Sequence, residues 1–378
     1  MRIALVAPFI SPIAPPFLGG AQALLADLAA GLAARGHQVT LFAATGSAIP
    51  APGVTVRDLG IDSHQLRPAR FADGPGADAE GENGMSDPSF FYSVESFRKV
   101  FTILQQEGDA YDLIHAHAFD WPAFAFGALL ATQRPVIHTL HLPAINPAIN
   151  ALLRDLRQSG NPTRFITVSQ ACAETYRPYV AMDAIIPNGI DTDAVPFGAV
   201  ADADGCVLFA GRLSPEKGVT DAIEIARLAG RHLSLAGGIY DPAYFEQAIQ
   251  PQLHARKHEL EYVGQLSRAD LWSLMGHATA VLLPIAWEEP FGLVAAEALA
   301  AGCPVIAYAR GALPEIISDG ETGFLIPPGD INAAAQAISD ASTLSREACR
   351  ERAQQYFSIA RMLDHHERFY EQLLQQPL

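Results

Sequence analysis

Short apolar runs alternate with helix-patterned segments along almost the entire chain, and no other feature of the sequence restricts the fold as strongly. In the first half the runs are IALVAP (3–8), QVTLFAA (38–44), VTVRDL (54–59), YDLIHAH (111–117), PVIHTLH (135–141) and RFITVS (164–169). In the second half they are CVLFAG (206–211), HLSLAGG (232–238), LEYVG (260–264), AVLLPI (280–285), PVIAY (304–308) and GFLI (323–326). Strands of this length separated by helical patterns imply βα units and parallel sheets. AQALLADLAAGLAARG (21–36) reads as one of the helices, with Leu24, Leu25, Leu28 and Leu32 on one face and Gly36 at its end. The stretch IPNGIDTDAVPFGAVADADG (186–205), rich in Pro, Gly and Asp, reads as an interdomain linker. The expectation is two doubly wound α/β domains in series, residues 1–195 and 196–357. Residues 358–378 form a last helix long enough to pack back across the junction. In open α/β sheets ligands bind beyond the carboxyl ends of the strands, so the informative residues are those immediately after strands.

A chain of 378 residues is long for one hydrophobic core and comfortable for two. Its formal charge of −16 counts against a nucleic-acid groove or a polybasic membrane surface, both of which need an excess of Lys and Arg. Cys172, Cys206, Cys303 and Cys349 are scattered, form no CxxC pair and give no metal signature, which suits a reducing cytosol. The apolar start MRIALVAP breaks at Pro8 and reads as a buried first strand, not a secretory segment. No run approaches the roughly 20 apolar residues of a transmembrane helix, so no integral membrane association and a cytoplasmic location are expected. Residues 63–89 are polar, Gly-rich and without periodicity, a functional or disordered loop.

The segment AWEEPFGLVAAEALAAGCPVIAY (286–308) combines a strand end, an acidic doublet, a turn and a helix closed by Gly302. Pro290 suits a first helical position, which would leave the amides of Phe291, Gly292 and Leu293 free to donate to an anion or hydroxyl. Glu297 then lies about 7–8 Å further along, where a carboxylate can accept two hydrogen bonds from a vicinal diol such as a ribose. The plainer alternative makes Glu288 and Glu289 helix-dipole partners and Glu297 a solvated face residue. In CVLFAGRLSPEKG (206–218), Arg212 and Lys217 follow a strand five residues apart. A forked guanidinium beside a mobile ammonium would neutralise a diphosphate, unless the two are a surface pair balanced by Glu216 and Asp221. Gly19 and Gly20 would allow close approach to a phosphate at another helix start, although no GxGxxG follows the strand. His138 and His141 lack the spacing and third ligand of a metal site. His115 and His117 alternate on one strand face, and Phe119 and Trp121 beyond them offer an apolar wall for an acceptor or simply more core.

AGRLSPEKG, EEPFGLVAAEALAAGCPVIA, IPNGID and the early GGAQ together resemble glycosyltransferase family 4, retaining nucleotide-sugar transferases of the GT-B fold. The resemblance covers nearly the whole chain in order and fails only in residues 63–89. It implies two facing Rossmann-like domains around a deep cleft, the first for the acceptor and the second for the donor. It implies that Arg212 and Lys217 bind the donor diphosphate and that Glu297 holds the ribose. Glu289 and the amides of Phe291, Gly292 and Leu293 would touch sugar hydroxyls and phosphate. Gly19 or Gly20 would approach the phosphate, His141 would stand beside the transferred sugar, and Gln265 and Leu266 would lie near the base. A hexose would thus pass from a nucleotide-sugar, UDP-glucose being the commonest, to a hydroxyl of a soluble natural product or oligosaccharide. The implied chemistry needs no metal or other cofactor, and the leaving diphosphate serves as base. The DPAYFE segment (241–246) is also similar to members that decorate antibiotics such as avilamycin. His117, Phe119, Trp121 and the 63–89 segment are the expected acceptor contacts. A nucleotide-sugar epimerase, or a catalytically silent nucleotide-sugar-binding partner subunit, would share this fold and remains the alternative.

Overall fold

The computed structural model describes all residues except 16, 18–19, 67–86, 203–204 and 377–378. It divides into two compact units, Met1–Gly189 with Ile359–Leu378, and Ile190–Ser358. In the first unit β1 (Arg2–Val6), β2 (Gln38–Ala43), β3 (Val54–Asp58), β4 (Leu113–Ala116), β5 (Val136–Leu140), β6 (Arg164–Thr167) and β7 (Ala184–Ile185) form one sheet. Its order is β3-β2-β1-β4-β5-β6-β7 and every pairing is parallel. β4 and β5 are buried at every position, as a parallel sheet covered by helices on both faces requires. β7 has only two residues, too few to leave a pattern in the sequence.

One face of this sheet carries the helix Gly20–Ala34 and the last helix, Ile359–Leu374, with Leu24, Leu28 and Leu32 in one core with Leu363, Tyr370 and Leu373. The two helices touch closely: a Cβ on Gly31 would lie 2.6 Å from Leu363. Arg35 bonds Asp364 at 2.7 Å and Glu367 at 2.6 Å, and His37 bonds Glu367 at 2.8 Å. The opposite face is covered by the helix Pro88–Gln106 through Phe97, Val100, Phe101 and Leu104. Pro88 starts that helix where its missing N–H costs nothing, and the Asp87 carboxylate accepts from the Ser89 amide.

The second unit repeats the plan with β8 (Val207–Ala210), β9 (Leu233–Ala236), β10 (Leu260–Gly264), β11 (Ala280–Leu283), β12 (Val305–Tyr308) and β13 (Gly323–Ile326). All are parallel, in the order β10-β9-β8-β11-β12-β13. In both sheets the order reverses at the centre, between β1 and β4 and between β8 and β11. Successive right-handed crossovers there leave the sheet in opposite directions, so the loops part and open a crevice at the carboxyl ends. Both units are therefore doubly wound Rossmann-type sheets, the class expected from the alternating pattern.

Arg346 locks the second unit beneath its sheet. It is 8% exposed and donates to the carbonyls of Gly198, Ala278 (2.9 Å) and Gly276 (2.7 Å). It thereby ties the helix Arg346–Phe357 to the end of the helix Arg268–His277. Arg346→Met keeps the apolar stem but strands three carbonyls. The variant is expected to lose about 3 kcal/mol of stability in urea melts. A loss under about 1 kcal/mol would mean that water replaces the guanidinium at little cost.

Candidate functional site

The charged residues of the second unit gather where its strand order reverses. After β8 the chain turns through Pro215–Lys217 into Gly218, which has φ 73° and passes so close to β11 that a Cβ would meet the Pro284 carbonyl at 1.9 Å. Only glycine fits there. The Ala286 amide, just after β11, donates to the Glu216 carbonyl at 2.9 Å and joins the two loops. Lys217 Nζ then reaches Glu289 Oε2 at 2.5 Å, and Trp287 Nε1 donates to the same oxygen at 2.9 Å. The Lys217 ammonium also lies 5.2 Å from the Trp287 ring centroid. With side chains only 15% and 12% exposed, this is a substantially desolvated ion pair whose geometry is fixed from two sides.

Arg212 stacks on Tyr240 at 4.4 Å and lies 3.4 Å from Glu216 Oε1. Glu216 is 8% exposed and takes a 2.7 Å hydrogen bond from Ser214, so it is a buried brace for the guanidinium and not a surface counter-charge. The carboxylate that meets Lys217 is that of Glu289, while the Asp221 carboxylate accepts from Tyr308 at 2.7 Å. A third loop, after β12, clasps the acidic doublet. The Gly311 amide donates to Glu288 at 3.0 Å and the Ala312 amide to the Glu289 carbonyl at 2.8 Å. Gly311 has φ 57°, and a Cβ there would sit 2.4 Å from the Glu289 backbone.

The structure departs from the helix start expected at Pro290. The helix after the doublet begins at Leu293 and not at Pro290; its N-cap is Gly292, at φ 95°. Pro290 and Phe291 belong to the preceding turn, which only glycine's positive φ can close here. Leu293 and Val294 thus carry N–H groups with no partner inside the helix, and the Phe291 ring is core, 4% exposed and edge-on to Phe357 at 5.8 Å. Glu297, on the same helix, has a side chain only 12% exposed and lies 3.6 Å from Arg268 Nε, so it is not a solvated face residue. Arg268 itself stacks on Trp272 at 4.7 Å. After β10, Gln265 is exposed and Leu266 half-buried, with the Gln265 side chain beside Gly238.

In the first unit Gly20 is the first residue of its helix, while Gly19 lies outside the described residues, as do residues 67–86 of the unmatched loop. His117 and His141 come together at the ends of β4 and β5, with His117 Nδ1 2.9 Å from His141 Nε2. Burial holds His141 neutral, its pKa lowered to about 4. Phe119 packs edge-on against Phe124 at 6.1 Å, and Trp121 is 40% exposed. Between them Asp120 stands at the N-cap of the helix Trp121–Ala131 without making a cap hydrogen bond. Burial raises its pKa to about 6, with Ser93 opposing the shift. Asp120, Trp287 and Arg268 were not singled out from the sequence, whereas Glu216 was named there as a counter-charge of the Arg212–Lys217 pair. Among them only Trp287 had a local signal, an indole donor two residues before Glu289. Among the described residues no group of three His, Cys, Asp or Glu is arranged to hold a metal ion.

Two parallel α/β sheets of this order, the second with cations and carboxylates at its switch point, have the form of a ligand-binding α/β protein, and comparison with known proteins places the chain among glycosyltransferases. Residues 18–194 match the model of Glycosyltransferase Family 4, and residues 196–356 that of Glycosyl transferases group 1. The chain is 29% identical over 371 residues to the phosphatidyl-myo-inositol mannosyltransferase of Mycobacterium tuberculosis, covering 93% of this chain and 90% of that one. It is 30% identical to the D-inositol 3-phosphate glycosyltransferase of Mycobacterium bovis, with 89% and 74% covered. A Mycobacterium tuberculosis glycogen synthase is 32% identical over 256 residues, but the match spans only 59% of that protein's length and 60% of this chain. Among solved structures, a sucrose-phosphate synthase from Thermosynechococcus elongatus has a TM-score of 0.78 at 23% identity, with 99% of each chain covered. AviGT4, a glycosyltransferase involved in avilamycin A biosynthesis, has a TM-score of 0.69 at 23% identity, with 100% of this chain and 99% of that one covered. The chain belongs to glycosyltransferase family 4, and its two Rossmann-type units are those of the GT-B class.

His138, in contrast to His141, is core. It is fully buried against Phe124 and Phe165, both ring nitrogens lack partners among the described residues, and Gly127 leaves room for the ring. Burial lowers its pKa to about 3, below the ordinary value of 6.5. As pH falls below 6.5 the unfolded chain takes up this proton and the native state does not. Stability therefore drops by about 1.4 kcal/mol per pH unit from this residue alone. His138→Leu is expected to gain about 1 kcal/mol at pH 7 and about 3 kcal/mol at pH 5, measured by urea unfolding at the two values. An advantage that does not grow on acidification would contradict the assignment.

Proposed function

We propose that this glycosyltransferase moves a hexose from a nucleotide-sugar to an acceptor hydroxyl with retention of configuration and without a metal ion. The observation that carries the reading is the convergence of Arg212, Lys217 and Glu289 at the reversal of the second sheet. When the anomeric C–O bond breaks, negative charge develops on the departing diphosphate and positive charge on the sugar. Arg212, Lys217 and the amides of Leu293 and Val294 would stabilise the first, and preorganised donors are worth most where charge appears. Glu289, already engaged by Lys217 and Trp287, suits a hydroxyl acceptor better than a covalent nucleophile.

The acceptor oxygen would bond to the anomeric carbon on the face the diphosphate leaves, and its proton would pass to a diphosphate oxygen. No enzyme base is then required. Glu297, oriented by Arg268, would take the two ribose hydroxyls, and Gln265 and Leu266 would border the base. Gly20 would approach the phosphate and His141 the transferred sugar. On the acceptor side, Phe119 and Trp121 offer apolar surface at the end of β4, with His117 behind them. The Asp120 carboxylate, held where it caps nothing, would accept from the acceptor's hydroxyls. A soluble acceptor, a small natural product or an oligosaccharide, is the class to test first. UDP-glucose is the first donor, since one neighbour of the same fold, Anabaena Alr3699/HepE, was solved in complex with UDP and glucose.

A thermal-shift screen of UDP, GDP, ADP and TDP and their sugars in EDTA tests the donor assignment. At about 100 times Kd the favoured nucleotide stabilises by about 2.7 kcal/mol. One nucleotide is expected to stand out, and Glu297→Ala should remove most of its effect. With that donor, NMR of the transferred sugar should find the anomeric configuration unchanged. No shift with any nucleotide, or inversion at the anomeric carbon, would refute the reading. Nucleotide binding with no transfer to any hydroxyl would point to a binding subunit.

A further inference from the structure

Beneath His141 the first unit buries a cluster of imidazoles drawn from three separate stretches of chain. His115 is bonded at both nitrogens, Nδ1 to the Tyr370 hydroxyl and Nε2 to Thr139 Oγ1, each at 2.6 Å. His366, on the last helix, directs Nδ1 to the Met362 carbonyl at 2.9 Å, so that nitrogen carries the proton and Nε2 holds a lone pair. His117 uses Nδ1 on His141, while its Nε2 is buried with no partner among the described residues. A cavity of about 10 Å³ lies beside them, lined by the polar residues His117, Thr139, His141, Asn188 and His366 and otherwise by apolar Leu, Ile, Val and Met side chains. That is the space of one water, and the imidazoles of His117 and His366 on its wall are the partners such a water would find.

We infer that a single buried water occupies this cavity and donates one hydrogen to His366 Nε2 and the other to His117 Nε2, so that the last helix fixes the tautomer of His141. The assignment follows by counting protons. With Nε2 of His117 accepting, its own proton sits on Nδ1 and is donated to His141 Nε2. His141 then carries its proton on Nδ1, the nitrogen left for a ligand, and presents an N–H donor there. A water bridge costs little in entropy and removes the penalty of an unpaired buried nitrogen. All five histidines of this region, His115, His117, His138, His141 and His366, are held neutral by burial, and Tyr370 and Thr139 are the remaining polar groups against His115. His117 and His366 are thus positioning residues, acting on the sugar only through His141. This step rests on the reading that His141 meets the transferred sugar.

The test is long-range 15N–1H NMR on the full-length protein at neutral pH, with His117, His141 and His366 assigned by single substitution. All three are expected as Nδ1–H tautomers, the minor form of free histidine. In His366→Leu, with the water's acceptor gone, His117 and His141 should become tautomer mixtures. In turnover, His117→Leu should lower kcat about tenfold or more with donor KM little changed, the worth of one oriented hydrogen bond. His117→Asn, whose amide can donate as Nδ1–H does, should recover most of that loss. An Nε2–H tautomer at His117 or His141 in the unaltered protein would overturn the relay, as would pure tautomers in His366→Leu. The expected tautomers with full kcat in His117→Leu would keep the relay and refute instead the role of His141 at the sugar.

Discussion

The reversal of strand order at the centre of each sheet is the constraint on which everything else rests. β9 and β10 extend one way from β8, while β11, β12 and β13 extend the other. Right-handed crossovers then send helices to opposite faces, and the loops after β8 and β11 part at the carboxyl ends. Residues about 70 apart in sequence, Lys217 and Glu289, meet there because the strands carrying their loops are neighbours. Glycines at the points of closest approach, Gly218 against Pro284 and Gly311 against Glu289, let three loops pack at backbone distance. The first sheet reverses in the same way between β1 and β4 and gathers Gly20, His117, Phe119 and Trp121 at its own opening.

At that reversal the charges are neither buried outright nor solvated. An exposed ion pair contributes little, and a fully buried one costs more in desolvation than it returns. Lys217 and Glu289 lie between these limits, supported by an indole on the same oxygen. Arg212 is held by Glu216 and the Tyr240 ring. Cations fixed in this way need little reorganisation when an anion arrives, which is what stabilising a departing diphosphate demands. The buried carboxylate of Glu216 sets where the guanidinium points while remaining out of reach of solvent.

The strands were legible because a short apolar run between helical patterns admits few other structures, and each of the twelve runs read from the sequence contains a strand. β7 was missed because two residues carry no periodicity. The helix start at Pro290 was misread because proline's preference for first helical positions competes with Gly292, whose φ of 95° sets the true cap. Arg212, Lys217, Glu289 and Glu297 were visible as residue types after strands. Of their partners, Glu216, four residues after Arg212, was named as a counter-charge and Trp287 was passed over beside Glu289. Arg268 could not be read, because its meeting with Glu297 depends on which loops the topology makes adjacent. Likewise the sequence shows His115 and His117 on one face of a strand, but not that His366 and Tyr370 arrive from the last helix to meet His115.

The central claim is that the second unit holds the diphosphate of a nucleotide-sugar through Arg212 and Lys217. Isothermal titration calorimetry in EDTA, comparing UDP with UMP and, if UDP binds weakly, GDP with GMP, measures it most directly. A charge-assisted pair to the second phosphate predicts that the diphosphate binds at least about tenfold tighter than the monophosphate. In Lys217→Ala and Arg212→Ala that gap should close to about twofold, with monophosphate affinity nearly unchanged. A gap that survives both substitutions would contradict the account, because the second phosphate would then be held elsewhere.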